Sequence, residues 1–349
     1  MAFFNNDLGV DLGTSHVLIY AQERGVVVRE PAVVALDKNT GRLLQVGAAA
    51  RNMLGRTPGN VAALQPVQDG VIADQEMTVK MLQKMFATAS TRSLLSSKPR
   101  VIISVPSGVT EVEERTVINA AIEAGARRVY LIEAPLAAAL GAGLDLNAAK
   151  GQMVVDIGAG TTDIAMLSMN AVANASSIRL AGDTFDEAIA HYIRRRFGLV
   201  IGKTTAEDIK IQIGCVFPRS ENLSMTVRGR SHKGGIPQEV QISSADLYET
   251  LSTLARQIAD EVAAVMDSST PELVSDIYET GIVLTGGGSQ LWGMAQLISE
   301  RTGVACTLAD DPDSCVAYGC GKSLAWINRM NEGPINLARQ RILRKQLGL

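Results

Sequence analysis

Only four of the 349 residues are cysteine and only three are histidine, and no spacing among them fits a zinc site. A disulfide scaffold is thereby excluded, and the chain reads as one kept in a reducing cytoplasm. Cys315 and Cys320 read as packing residues at the start of a helix. The longest apolar candidate for burial, AAALGAGL at 137–144, falls far short of the roughly 18–20 residues that cross a bilayer. The opening MAFFNNDLGVDLG has neither a basic stretch nor an apolar segment of secretory length. Charge of one sign is not in excess either. There are 33 Lys and Arg against 36 Asp and Glu, a formal net charge of −3, which gives no footing for a dedicated nucleic-acid binder. The triple-basic run Arg194, Arg195 and Arg196 reads as a solvated or interface face. Neither GxxxxGK[ST] nor GxGxxG occurs, so a Walker-type or dinucleotide-type phosphate loop is absent.

What is present is a globular composition, 46% hydrophobic and 20% charged, with length enough for two domains that each bury a core. One signature occurs twice. LGVDLGTSHVLIYA at 8–21 runs as a strand, turns at Gly13-Thr14, and returns as a strand. MVVDIGAGTTDIAMLS from 153 repeats the plan, with Asp156 ending the run and Gly158 and Gly160 in the turn. Asp11 and Asp156 lie 145 residues apart, about one domain length, which implies two similar domains. In each copy glycine lets backbone N–H groups approach an anion, threonine adds a hydroxyl, and the aspartate is placed to hold a divalent cation directly or through water. Two such hairpins face to face would grip a polyphosphate from both sides.

A third glycine cluster, Gly286-Gly287-Gly288, follows the strand Ile282-Val283-Leu284 and precedes an expected amphipathic helix from Leu291 to Ile298. It is placed to face a phosphate or a nucleoside. Elsewhere, strands are expected at 26–36, 43–47 and 101–105, and helices at 77–89, 182–197 and 243–266. Thr110 opens a capping box with Glu113. A second capping box is expected at Thr204–Glu207, and Lys210 three residues on from Glu207 reads either as its ion-pair partner or as part of a nucleoside-binding edge. Glu133 ends a strand at the domain junction, ahead of an Ala-rich helix. Met1-Ala2-Phe3-Phe4 and Arg92-Ser93-Leu94-Leu95-Ser96 place apolar residues where they can dip into a bilayer interface.

An ordered set of phrases along the chain resembles the bacterial actin-like rod-shape-determining family, MreB and its close relatives. They are DLGT at 11–14, REPAVVA at 29–35, DGVIAD at 69–74, VPSGVTEVEERT at 105–116 and IEAPLAAALGAGL at 132–144. VVDIGAGTTDIA at 154–165, GDTFDEAI at 182–189, TAEDIK at 205–210, TGGG at 285–288 and DDPDSCVAYGCGKSLA at 310–325 continue the set. The resemblance implies an α/β, actin-like ATPase fold: two RNase H-like domains around an interdomain nucleotide cleft, each with a smaller inserted subdomain. Domain I is expected over 1–144, with a subdomain at about 32–75 and completion by helices at about 315–349. Domain II is expected over 145–314, with a subdomain at about 183–250. ATP or ADP and Mg²⁺ are the implied cofactors. Antiparallel paired filaments of the chain itself, the inner-membrane surface, and membrane proteins of cell shape and cell-wall synthesis are the implied partners, with no specific nucleic acid. The implied location is cytoplasmic, peripheral at the inner face of the cell membrane.

Carried onto matching positions, the resemblance makes Asp11 and Asp156 the organisers of Mg²⁺ and its waters. Gly13, Thr14 and Ser15 become the first phosphate loop, and Gly158, Ala159, Gly160 and Thr161 the second. Glu133, assisted by Thr161, positions the attacking water. Glu207, Lys210 and Gly286 to Gly288 form the nucleoside pocket, and Phe3, Phe4, Leu94 and Leu95 contact the membrane. This chain departs from the family at several points. Its second loop reads GAGT where GGGT is common, and an alanine there is strained if the backbone must be left-handed. Asp163 stands where glutamate is usual, Gln212 replaces an acidic residue, and Tyr318 replaces a basic one. A small-molecule kinase of the same superfamily would need an acceptor pocket whose signature is not found, and a heat-shock chaperone would need a further peptide-binding domain. A scaffold that binds nucleotide without hydrolysing it stays open beside the filament ATPase.

Overall fold

The computed structural model describes residues 6–90, 98–232 and 234–325. The internal duplication expected from the two hairpins appears as two five-stranded sheets of one topology. In the first, β1 (Leu8–Leu12), β2 (His16–Ala21) and β3 (Gly25–Pro31) form an antiparallel meander. Strands β4 (Arg100–Val105) and β5 (Arg128–Glu133) add in parallel on the other side of β1. In the second, β6 (Gln152–Ile157), β7 (Thr162–Ser168) and β8 (Ala171–Ile178) form the meander. Strands β9 (Ile282–Thr285) and β10 (Cys306–Leu308) add in parallel beside β6. Each sheet therefore reads third, second, first, fourth, fifth strand in space, the order expected of an RNase H-like core.

The parallel strands are covered on both faces, as strands joined by helical crossovers must be. On the outer face of the first sheet, α1 (Gln75–Ala89) and α2 (Glu111–Glu123) pack Met81, Leu82, Phe86 and Ala121 against Val10, Ile19, Val101 and Ile103. Asp74 caps α1 by accepting from Met77 N, and the Thr110–Glu113 capping box opens α2 as expected. Alternation along β4 turns Ile102 to the opposite face, where α3 (Ala134–Gly141) lies.

The second sheet has the larger core. Met153, Val155, Ile164 and Leu284 pack against α4 (Gly182–Phe197), α5 (Lys203–Ile213) and the 24-residue α6 (Ser244–Asp267), while α7 (Pro271–Thr280) and α8 (Met294–Thr302) complete the layer. Each fully buried aliphatic side chain here stabilises the fold by about 1.5–3 kcal/mol.

Helix α3 and α9 (Cys315–Ser323) lie between the sheets. Ile102 and Ile132 from one side and Val154, Ala165 and Leu167 from the other enclose them. The two helices meet backbone to backbone. A Cβ on Gly141 would lie 1.7 Å from the Cys315 carbonyl oxygen, and one on Gly319 would lie 1.8 Å from that of Ala137. Small residues at these positions are thus a requirement of the crossing, and any side chain would drive the helices apart. Cys315 and Cys320 are buried in this packing, as their spacing suggested. Tyr318 sets its ring edge-on to Tyr20, with centroids 6.1 Å apart.

Small elements rise beside each sheet. Val34–Asp37, Leu43–Val46 and Val61–Leu64 form a three-stranded sheet next to the short helix Ala48–Arg51. On the other side, Leu199–Val200, Ser224–Ser231 and Pro237–Ser243 form a second one. The Arg194–Arg196 run falls in the exposed last turn of α4, where basic side chains complement the helix dipole.

Candidate nucleotide site

The β1–β2 and β6–β7 turns face one another across a cavity of about 770 Å³. Asp11 and Asp156 line it from opposite sheets, each with a hydroxyl on the neighbouring parallel strand. Ser104 Oγ donates to Asp11 Oδ1 at 3.2 Å, and Thr285 Oγ1 donates to Asp156 Oδ1 at 2.7 Å. Burial pushes the Asp11 carboxyl up to about 6, with the Ser104 hydrogen bond opposing it. Burial pushes Asp156 further, to about 7; Thr285 opposes it, and the nearby charges of Asp163, Asp11 and Asp313 add to it. Two buried carboxylates held above their ordinary range by desolvation favour a cation between them.

Among the described residues no group of three acidic, histidine or cysteine side chains forms a metal cage. Two carboxylates joined by phosphate oxygens and water suit magnesium, which keeps much of its hydration and is held by one or two carboxylates plus substrate phosphate. The residues therefore fit Mg²⁺.

Both expected phosphate loops line the cavity: Gly13, Thr14 and Ser15 from one side and Gly158, Ala159, Gly160 and Thr161 from the other. They touch each other. A Cβ on Gly160 would lie 2.4 Å from Thr14 Oγ1 and 2.9 Å from Asp69 Cα. Ala159 needs no glycine: the non-glycine residues with left-handed backbone among those described are Glu23, Asp69, Met169 and Asn170. The strain expected from reading GAGT in place of GGGT is therefore corrected. A role the sequence reading missed belongs to Asp69-Gly70, the tip of the hairpin between Val67–Gln68 and Val71–Ile72. Gly70 N donates to Thr14 Oγ1 at 3.0 Å, which seats this tip between the two loops. The Asp-Gly dipeptide was the available signal, since it favours tight hairpin turns.

Glu133 ends β5 and is half-buried. It accepts a hydrogen bond from Ser107 Oγ at 3.1 Å on Oε2. Its successor Ala134 and its expected assistant Thr161 line the cavity, whereas Glu133 stands behind that lining. Asp163 was noted in the sequence only as a departure, yet it is 1% exposed and central to this corner. Its Oδ1 accepts from Ser107 N and its Oδ2 from Thr161 Oγ1, both at 3.0 Å. Burial raises its carboxyl, while hydrogen bonds from Ser177, Ser107 and Thr161 pull the other way.

At the far end of the cavity two expectations need correction. Glu207 and Lys210 both line the site but do not pair with each other. Glu207 is paired with Arg51, from the short helix beside the first sheet, across the mouth of the cleft. Lys210 Nζ lies 2.8 Å from Asp186 Oδ1 and donates to the Gly182 carbonyl at 2.8 Å. The reason is geometric: α4 and α5 pack side by side, which brings Asp186 to Lys210, while Glu207 faces the opening. Lys203 makes a second bridge across the mouth, to Gln65 Oε1 at 2.9 Å and to Asp183 at 2.7 Å. The expected capping box at Thr204–Glu207 is absent as well, since Lys203 begins α5 and Gly202 stands at its N-cap without a side-chain hydrogen bond.

Gly286, Gly287 and Gly288 line the cavity, the latter two opening the 3₁₀ turn Gly287–Gln290; the following helix starts at Met294 rather than Leu291. Ile211, Leu291 and Trp292 make this end partly apolar, with the polar Gln212 beside them and the Arg219 guanidinium 4.8 Å above the Trp292 ring. His16, beside the first loop, has its pKa lowered by burial and then by the Arg51 charge. The expected membrane residues Phe3, Phe4, Leu94 and Leu95, and the helices expected beyond 325, lie outside the described residues. Among those described, no helix is long and apolar enough to cross a membrane.

Three comparisons bear on this geometry. The chain matches the MreB/Mbl protein family over residues 5–332. It is 46% identical over 329 residues to the cell shape-determining protein MreB of Escherichia coli (strain K12), covering 93% of this chain and 95% of that one. Among solved structures it is similar to MreB5 of Spiroplasma citri bound to AMPPNP, with a TM-score of 0.87, 35% identity, and coverage of 93% and 97%. The same protein has been solved bound to ADP. The MamK double helical filament, 24% identical with a TM-score of 0.77 over 94% of this chain, shares the actin-like fold.

Proposed function

Because the chain belongs to the MreB/Mbl family, we propose that it is an ATP-dependent cytoskeletal filament protein that polymerises at the inner face of the cytoplasmic membrane. There it organises cell-wall synthesis to set rod shape, with slow ATP hydrolysis regulating assembly. The observation that carries this reading is the pair of matching turns that set Asp11 and Asp156 on either side of one cleft. The nucleotide-bound state of the similar MreB5 structures supports it. The domain division taken with it is 1–144 with the helices from about 315, and 145–314.

Thr14, Ser15 and the backbone of Gly13 and Gly158 to Thr161 receive the phosphates, where N–H groups match developing charge without reorganising. Asp11 and Asp156 hold Mg²⁺, which when bound neutralises charge on the phosphate oxygens. Glu133 and Thr161 orient the water, and Glu207, Lys210 and Gly286 to Gly288 border the nucleoside. Hydrolysis by an oriented water needs no protein nucleophile. Subunits stack head to tail, because a translational contact does not close on itself, and two such strands pair antiparallel. Phe3, Phe4, Leu94 and Leu95 supply the membrane contact.

Electron microscopy of the purified protein on anionic lipid, with Mg-ATP, with Mg-ADP and without nucleotide, tests the reading while phosphate release is followed in the same samples. The expected result is paired filaments on lipid that require ATP, with slow phosphate release. Filaments without release would replace the ATPase by a nucleotide-binding scaffold. No polymer in any state, with ATP consumption awakened only by a small metabolite, would replace it by a kinase.

A further inference from the structure

A chain of hydrogen bonds joins Glu133 to Thr161 and crosses from one sheet to the other. Ser107, on the loop after β4, gives its hydroxyl proton to Glu133 Oε2 and its backbone N–H to Asp163 Oδ1. Thr161 gives its hydroxyl proton to Asp163 Oδ2. A hydroxyl carries one proton and two lone pairs, and an ionised carboxylate only accepts. With donors on both of its oxygens, Asp163 acts as the carboxylate. Thr161 Oγ1, its proton committed, has only lone pairs left to offer. Its orientation is fixed from the other side too, since a Cβ on Gly70 would lie 3.0 Å from the Thr161 methyl.

We propose that Asp163 is a positioning residue that sets the hydrogen-bond polarity of the hydrolytic site. By taking the Thr161 proton and anchoring the loop whose hydroxyl orients Glu133, it leaves two acceptors for one water. A water that donates both protons to Glu133 and Thr161 presents its lone pair to the terminal phosphorus. The oxygen then bonds to phosphorus as the bond to the bridging oxygen breaks; that electron pair stays on ADP, and the proton lost by the water ends on the phosphate. Because Ser107 and Thr161 come from different sheets, the polarity is assembled only while the two sides of the cleft are together. This inference rests on the reading of Glu133 and Thr161 as the water-positioning pair.

Asparagine at this position breaks the polarity at nearly constant shape. Ser107 N–H can only donate, whereas the Ser177 hydroxyl that also bonds Asp163 can turn to accept, so the amide oxygen faces Ser107 and the amide N–H₂ faces Thr161, whose own proton then swings toward the water. The test measures phosphate release from Mg-ATP and affinity for AMPPNP in the full chain, for wild type, Asp163→Asn, Asp163→Glu, Ser107→Ala and Glu133→Gln. Asp163→Asn and Glu133→Gln are expected to lower turnover by about 10- to 100-fold while AMPPNP affinity stays within about twofold. Asp163→Glu, which restores two acceptor oxygens, should recover to within about threefold of wild type, and Ser107→Ala should lose about fivefold.

Normal turnover in Asp163→Asn beside a collapsed Glu133→Gln overturns the positioning role and leaves the water reading standing. Turnover and affinity falling together in Asp163→Asn, with Ser107→Ala unchanged, makes Asp163 merely structural. Unimpaired Glu133→Gln removes the water reading and this inference with it. If Asp163→Asn does not fold, Ser107→Ala decides alone, and unchanged turnover overturns the proposal.

Discussion

The two halves of the molecule repeat one scaffold and differ where chemistry is placed. In both, an aspartate at the end of the first strand receives a hydroxyl from the neighbouring parallel strand, Ser104 in one and Thr285 in the other. Across the antiparallel pairing the copies part. Asp11 is opposite Leu18, whereas Asp156 is opposite Asp163. The strand after Ser104 leads through Pro106 into α2, while the strand after Thr285 leads into a glycine turn that lines the cleft. A duplicated fold thus supplies two opposed carboxylates, and the second copy alone adds a carboxylate beside its aspartate and a nucleoside wall. The first copy contributes support: Asp69-Gly70 packs against the second loop, and Ser107 links Glu133 to Asp163 on the strand that follows that loop.

The largest effect is expected where the copies touch. Gly160→Ala puts a methyl 2.4 Å from Thr14 Oγ1 and 2.9 Å from Asp69 Cα, and backbone on one side cannot yield. The loops must separate, and displacements of about 1 Å at a reacting centre cost about 100-fold in rate. Phosphate release should fall by that order, and the unfolding midpoint should drop with the overpacking, which costs about 1–3 kcal/mol. Near-normal turnover would mean that the two loops do not act on one phosphate chain.

A smaller and more discriminating effect separates the two aspartates. Both carboxyls sit above the ordinary 3.8, Asp11 near 6 and Asp156 near 7. Through that window the folded chain binds more protons than the unfolded chain, so these groups make stability fall as pH rises from about 4 to 7. Asp156→Asn removes the larger of the two liabilities. Without nucleotide it should melt higher than wild type at pH 7.5, by roughly 1–2 °C per kcal/mol relieved for a chain of this length, and the gap should close toward pH 5. Asp11→Asn should show the same sign and a smaller gap. Adding Mg-ATP should reverse the order, because ligand binding stabilises only the proteins that retain the carboxylate pair. Thermal melts over this pH range, with and without Mg-ATP, measure it; an Asp156→Asn protein less stable than wild type at every pH would show the buried charge to be compensated.

How much of this was legible in the sequence follows from chain separation. The hairpins, their glycines and the Thr110 cap are local, and periodicity with turn chemistry exposes them. Asp163 was also within reach: a four-residue turn at 158–161 pairs Ile157 with Thr162 and therefore Asp156 with Asp163. The partners Ser104 and Thr285 lie 93 and 129 residues from their aspartates, and Arg51 lies 156 from Glu207. Those contacts depend on parallel pairing and on the approach of the two small sheets, which no local pattern encodes. For the same reason one of the two readings of Lys210, an ion pair with Glu207 three residues away on one helix, gives way to a partner on another helix, Asp186.

The smallest effect is expected from Ala159→Gly, which restores the loop common in the family. Its smallness is what sharpens the comparison, because the two glycines flanking Ala159 are not equivalent to it. Gly160 is held by close approach of Thr14 and Asp69, whereas Ala159 has right-handed or extended backbone open to any residue. Its carbonyl is committed, accepting from Asp183 N at 2.8 Å, so the segment is already anchored to the start of α4. Glycine there gains no geometry that alanine lacks, and it releases conformational freedom in the unfolded chain that costs about 0.5–1 kcal/mol. Turnover should therefore stay within about twofold of wild type, with a slightly lower melting temperature. A tenfold gain in phosphate release from Ala159→Gly, on the order of 1.4 kcal/mol in barrier, would show that the methyl throttles the second loop and that the two copies differ there in more than their carboxylates.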